Sequence, residues 1–122
     1  MARIALFFAF IALCSDAFAQ EGTASWYSKD SCIKEGTSGV YTASGKVFDE
    51  NELTAASWFH PFGTRLIVKN LSNQKSVCVT ITDRGPSKKL VKKGRIIDLS
   101  KRAFSRIANL KEGVVKVDVK TL

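Results

Sequence analysis

The chain has little histidine, methionine or proline: one His, one Met and two Pro in 122 residues. Its three cysteines, Cys14, Cys32 and Cys78, stand far apart. One His and no close Cys pair make a poor zinc site, because such sites draw on closely spaced ligands. We expect no metal and no cofactor. Acidic residues are also scarce, with eleven Asp and Glu against nineteen Lys and Arg, a net charge of +8. That excess points to an anionic partner, such as nucleic acid, a membrane surface or an acidic polymer. Solubility alone is the plainer alternative. No apolar run reaches the roughly 20 residues of a membrane-spanning helix. The longest, Ile4 to Leu13, has about ten. Internal repeats and low-complexity tracts are missing too, so the length fits one domain.

The N-terminus reads as an export signal. Arg3 precedes the apolar run, and Ala17-Phe18-Ala19 presents small residues where a signal peptidase reads them. Cleavage is expected after Ala19, leaving residues 20–122 as the mature domain. The alternative is a buried N-terminal helix, which would start with neither cap nor polar face. Cys14 leaves lipid anchoring open, although the residue before it, Leu13, is large. Export to the periplasm or cell envelope argues against nucleic acid and favours an acidic wall polymer. In that setting Cys32 and Cys78 read as one disulfide. It would close a loop of about 47 residues and contribute about 3–4 kcal/mol. Free thiols are the alternative.

Strand signals dominate the mature region. Thr23 to Tyr27 is a first strand, and Leu66 to Lys69 is β-branched and apolar. Val77 to Thr82 alternates with Val77, Val79 and Ile81 on one face. The turn residues between the last two predict a hairpin. Arg95 to Ile97 is short and apolar, and Val115, Val117 and Val119 line one face of a final strand. Helical signals are few. Asp49 to Ala56 is a candidate short helix with Asp49 as cap. Leu99 to Leu110 is the clearest helix, its apolar stripe running through Leu99, Ala103, Phe104, Ile107 and Ala108. Asp98 or Ser100 would cap it. Short strands with few helices predict a mainly β protein, a small barrel.

The stretch with most chemical content is Thr82-Asp83-Arg84-Gly85-Pro86. It ends a strand and opens a loop holding Lys88, Lys89, Lys92 and Lys93. An acid at a strand end beside a basic loop is a candidate site. The structural alternatives are that Asp83 caps a turn and Asp98 a helix.

Several blocks, in order, resemble the rare lipoprotein A (RlpA) family. They are Gly22-Thr23-Ala24-Ser25-Trp26-Tyr27, Thr42-Ala43-Ser44-Gly45, Phe48-Asp49 and Leu53-Thr54-Ala55-Ala56. Pro61 to Leu66, Val68 to Leu71, Thr82 to Pro86 and Gly94 to Ser100 continue the series. The resemblance covers nearly the whole mature region. It implies a six-stranded double-psi β-barrel, shared with expansins and barwins. It also implies an endolytic peptidoglycan transglycosylase that prefers glycan strands without stem peptides. The substrate would be peptidoglycan glycan strands, with envelope or division proteins as further candidate partners and a monomer as the expected state.

In such an enzyme an acid protonates the glycosidic oxygen and the muramyl 6-hydroxyl attacks the anomeric carbon. No water is consumed, so one carboxyl group serves where ordinary glycosidases use two. Its pKa should be raised. The resemblance makes Asp83 that acid. A guanidinium against Asp83 would work the wrong way, so Arg84 should point away or bind a substrate carboxylate. Asp98 would shape the cleft or bind sugar if it does not cap the helix.

Two positions depart from the family. Lys46 stands where a glutamate is usual, and Ser57 where a histidine is usual. A helical turn over Ala56 to Phe59 would bring His60 to the face of Ser57 as a partial replacement. Otherwise His60 is a surface residue beside a turn. A further departure is the insertion between Tyr27 and Thr42 that contains Cys32. Of the aromatics, Trp26 is expected in the core, and Trp58 either packs or stacks on a sugar ring. The competing function is a non-catalytic, expansin-like wall-binding module that grips glycan through aromatics and lysines. A barwin-like inhibitor or effector is a third possibility that no residue specifically supports.

Overall fold

The computed structural model describes residues 20–28 and 41–122. Within them six strands close a barrel in the order β1-β5-β2-β4-β3-β6. They are β1 (Gln20–Tyr27), β2 (Thr54–Ala56), β3 (Arg65–Asn70), β4 (Ser76–Asp83), β5 (Arg95–Ser100) and β6 (Val114–Thr121). Two pairings are parallel, β1 with β5 and β2 with β4. The other four are antiparallel. The expected mainly β, double-psi barrel architecture is present.

Alternation along the strands builds the interior. Leu66 and Val68 on β3, Val77, Val79 and Ile81 on β4, and Val115, Val117 and Val119 on β6 are all buried. Each such side chain contributes about 1.5–3 kcal/mol by leaving water. The expected β3–β4 hairpin forms, with Leu66 opposite Val79 and Val68 opposite Val77. Trp26 packs against this core as expected, and its indole N–H donates to the Leu110 carbonyl at 3.1 Å.

Two helices connect strands: α1 (Lys88–Val91) and α2 (Lys101–Ile107). The latter closes one side of the core through Ala103, Phe104 and Ile107. It is shorter than the expected Leu99–Leu110, because β5 runs through Leu99 to Ser100. Asp98 therefore lies in a strand and does not cap the helix. Ser100 does: its hydroxyl accepts from Ala103 N at 3.2 Å and donates to the Glu52 carbonyl at 2.6 Å.

The expected helix over Asp49–Ala56 is a correction. Asp49 caps only a turn, accepting from Asn51 N at 2.9 Å. Thr54–Ala56 then extends as β2, because β4 and β5 offer it partners on both sides. The expected Cys32–Cys78 disulfide cannot be followed, because Cys32 lies outside the described residues. Cys78 is a free thiol on a strand face away from the core, with Arg65 Nη2 3.5 Å from its sulfur. Cys32, like Cys14 and the export signal, lies outside the described residues. Among the described residues no helix is long and apolar enough to cross a membrane.

Candidate active site

Ala56, the last residue of β2, pairs with Asp83 on one side and Asp98 on the other. Both aspartates thus reach the same end of the barrel, about 10 Å apart across β2 by the usual strand spacing. Their partners differ. Ser25 Oγ donates to Asp98 Oδ1 at 2.9 Å, which ties that carboxylate to β1. Asp83 Oδ1 accepts two main-chain N–H groups, from Ala43 at 2.9 Å and Arg84 at 2.8 Å. Its other oxygen has no hydrogen bond among the described residues. The carboxyl is anchored through one oxygen.

Two loops frame it. The turn 42–46 closes through Thr42 N, which donates to the Lys46 carbonyl at 2.8 Å, and is fastened to β4 by Ser44 N to the Thr82 carbonyl at 3.3 Å. The segment 57–63 is fastened at both ends: Ser57 N donates to the Asp83 carbonyl at 3.1 Å, and Gly63 N to the Ile81 carbonyl at 2.8 Å. Arg84 clamps its middle. One guanidinium nitrogen donates to the carbonyls of Ser57 at 2.8 Å and His60 at 2.9 Å. The same group lies 3.9 Å from the Phe62 ring centroid, a favourable cation–π contact. Arg84 therefore forms no ion pair with Asp83 among the described residues, and its Nη1 donates to main-chain carbonyls.

The segment 57–60 is not helical. Ser57 is buried, and its hydroxyl accepts from Phe59 N at 3.0 Å. The His60 Nε2 is buried with no hydrogen-bond partner among the described residues. Burial holds the His60 pKa below its usual value, so the ring is neutral at pH 7. Trp58, Phe59 and Phe62, on the segment fastened to the Asp83 carbonyl through Ser57 N, are 43%, 48% and 42% exposed. The indole of Trp58 is fixed by its N–H, which donates to the Pro86 carbonyl at 2.6 Å. The Lys88 ammonium lies 4.8 Å from the centroid of that ring.

Comparison with known proteins settles the lineage. Residues 19–119 match the lytic transglycolase family. The chain belongs to this family. Its relatives include the endolytic peptidoglycan transglycosylase RlpA of Pasteurella multocida, 40% identical over 88% of this chain and 33% of that protein. A probable endolytic peptidoglycan transglycosylase RlpA of Synechocystis is 46% identical over 79% of this chain and 27% of that protein. The chain thus spans about a third of the length of these relatives. Among solved structures, the Streptomyces papain inhibitor superposes with a TM-score of 0.64 at 24% identity, covering 85% of this chain and 94% of that one. An expansin of Clavibacter michiganensis gives 0.61 at 17%, covering 85% and 50%. These two establish the shared fold.

Against this family background, the structure brings Asp83, Arg84, Ser57, Trp58 and His60 together and sets Asp98 across β2. Lys46 lines an adjoining groove of about 200 Å³ with Val47, Asp49, Leu53, Thr54 and Thr82, among others. Among the described residues no cluster of three His, Cys, Asp or Glu could hold a metal. Sequence reasoning missed three parts of the site: the Ala43 N–H, the Phe62 ring under Arg84, and the Pro86 carbonyl that orients Trp58. Two are main-chain groups, which carry no residue signature. The Phe62 contact joins positions far apart in the chain and becomes visible only in the fold.

Proposed function

We propose that this chain is an endolytic lytic transglycosylase that cleaves MurNAc–GlcNAc bonds in peptidoglycan glycan strands. The observation that carries this reading is the Asp83 carboxyl, anchored through Oδ1 with its second oxygen free. A proton on that oxygen passes to the glycosidic oxygen as the C1–O bond breaks. The muramyl 6-hydroxyl attacks C1 and gives up its proton to the same carboxylate. The products are a free 4-hydroxyl on the leaving sugar and a 1,6-anhydro-muramyl end. Asp83 is regenerated, and no water or second carboxylate is required. The names of the family relatives support the substrate, and the net charge of +8 suits an acidic polymer.

Trp58 would stack on a sugar ring, with Phe59 and Phe62 extending the surface. Arg84 would position rather than bind. Asp98 would shape the rim through Ser25, and Ser57 and His60 would support the segment that presents the aromatics. Export through residues 1–19 would deliver residues 20–122 to the periplasm or envelope, where this substrate is found.

The test is Asp83→Asn on purified sacculi. We expect loss of anhydro ends by at least a hundredfold, with binding to sacculi and the far-UV spectrum unchanged. A variant that still releases anhydro ends removes Asp83 from the chemistry. A second reading, a non-catalytic wall-binding module, is favoured by Lys46 and Ser57 and by the exposed aromatics. It predicts sacculus binding without new ends from either protein.

A further inference from the structure

The groove beside the turn 42–46 carries charges that the chemistry at Asp83 does not use. The turn serves both places: Ala43 N holds the Asp83 carboxylate at 2.9 Å, and Lys46 lines the groove. The Lys46 main chain is fixed, because its carbonyl accepts from Thr42 N at 2.8 Å and from Thr42 Oγ1 at 2.9 Å. The floor is the outer face of the β2–β4 pair. Ala55 and Ile81 pair in register and are fully buried, so Thr54 and Thr80, paired one position earlier, lie on the opposite face. Thr54 Oγ1 is buried there with no hydrogen-bond partner among the described residues. A polar group seated in the groove would supply one.

Asp49 and Glu52 also line the groove, and the turn that carries both is closed by Glu52 N, which donates to the Asp49 carbonyl at 3.1 Å. One ammonium and two carboxylates thus share a cavity of about 200 Å³. None of them is in an ion pair, since the only salt bridge among the described residues joins Lys101 to Glu50. Asp49 Oδ1 is already held by Asn51 N at 2.9 Å, which leaves Glu52 as the more available acid. Charges of both signs that do not neutralise each other suit a ligand that carries both signs itself. Val47, among the most exposed apolar residues, offers contact to the ligand's carbon chain.

We propose that this groove binds the zwitterionic end of a wall peptide, an amino acid whose ammonium and carboxylate are both free. The carboxylate pairs with Lys46 and the ammonium with Glu52. The glutamate usual in the family at position 46 would leave three acids and no cation among these groups and would repel that carboxylate, so the departure creates the site. This inference rests on the reading that the domain works on peptidoglycan, which supplies such peptides, and it adds a point of attachment apart from the glycan chemistry.

The test is binding, independent of turnover. The first probe is an N-acetylated tripeptide ending in meso-diaminopimelate, whose side chain ends in a carbon bearing ammonium and carboxylate. The second is the same peptide with that ammonium acetylated. The third ends in lysine, which keeps the ammonium and lacks the side-chain carboxylate. For the wild-type chain we expect the zwitterion to bind about two- to fivefold more tightly than either of the others, a difference that fades with added salt. Lys46→Glu should abolish the preference over the lysine peptide and leave that over the acetylated one. Lys46→Gln, a milder change at an exposed position, should do the same. Glu52→Gln should bring the preference over the acetylated peptide close to one. Preferences unchanged in these variants overturn the site, as does a wild-type chain that shows none or binds no probe. The two proposals fail separately. A Lys46-dependent preference without anhydro products removes the transglycosylase and leaves the groove. Anhydro products without that preference do the reverse.

Discussion

The two N–H groups on Asp83 Oδ1 come from different directions, one from the next residue and one from Ala43, forty positions earlier. Such convergence fixes the carboxyl on the barrel rim without an opposing charge. His60 shows the opposite treatment, a titratable ring whose Nε2 is buried and has no hydrogen-bond partner among the described residues. Its folded pKa is lowered by burial, so the unfolded chain takes up the proton first as pH falls below about 6.5. The folded state binds fewer protons in that window, and stability falls with decreasing pH. Above pH 7 the ring is neutral in both states and adds no pH dependence. Denaturant titrations between pH 7.5 and 5 should show wild-type stability declining more steeply than that of His60→Gln. Equal slopes would contradict this.

Residue identity made some of these roles legible and left others ambiguous. Asp and Ser are equally good helix caps, so Asp98 and Ser100 could not be told apart from local pattern. The choice fell to β5, which continues to Ser100 and pairs Asp98 with Ser25 and Ala56. Asp83 could be singled out because its motif lies intact at the end of an alternating strand.

At the scale of elements, the segment 57–63 depends on one side chain. Arg84 bonds two of its carbonyls and packs on Phe62. Removing the guanidinium leaves both carbonyls to find new partners, at about 1.5–3 kcal/mol for a charged donor. Arg84→Ala should lower stability by about that amount and raise KM on glycan more than it lowers kcat, since it loosens the aromatic surface while Asp83 keeps its Ala43 bond. Arg84→Lys supplies a single charge without the planar fork and should recover only part of the effect. Urea denaturation together with steady-state release of anhydro ends checks both. Loss of kcat alone, with stability and KM unchanged, would place Arg84 in the chemistry instead.

Strand alternation was the most legible element signal. Val77, Val79 and Ile81 and the Val115–Val119 series face the core as their period requires. The failure over Asp49–Ala56 has a physical cause. A capping residue and two alanines favour a helical turn locally, but β2 has only three residues and gains its bonds from β4 and β5. Long-range pairing overrides a weak local preference.

For the molecule as a whole, closure depends on β1 meeting both β5 and β6. At Gly22 the approach is tight enough to exclude any side chain. A Cβ there would come within 2.8 Å of the Gly94 carbonyl oxygen and of both γ carbons of Ile96. Gly22→Ala should therefore cost about 1–3 kcal/mol through overpacking, read as a lower urea midpoint with an unchanged slope. An unaltered midpoint would mean that the β1–β5 seam is looser than described. Barrel class and core faces were readable from strand periodicity. The barrel order was not, because parallel partners such as β1 and β5 are separated by about seventy residues and no local pattern encodes that pairing.

The central claim is that this barrel carries out an intramolecular transglycosylation with Lys46 and Ser57 in place. It is tested most directly by digesting amidase-treated sacculi with the purified chain in ¹⁸O-labelled water and examining the new glycan ends by mass spectrometry. Intramolecular attack by the muramyl 6-hydroxyl predicts 1,6-anhydro-muramyl ends free of ¹⁸O, since no water enters the reaction. Reducing ends carrying ¹⁸O, or no new ends from a folded protein that still binds the sacculi, would contradict it.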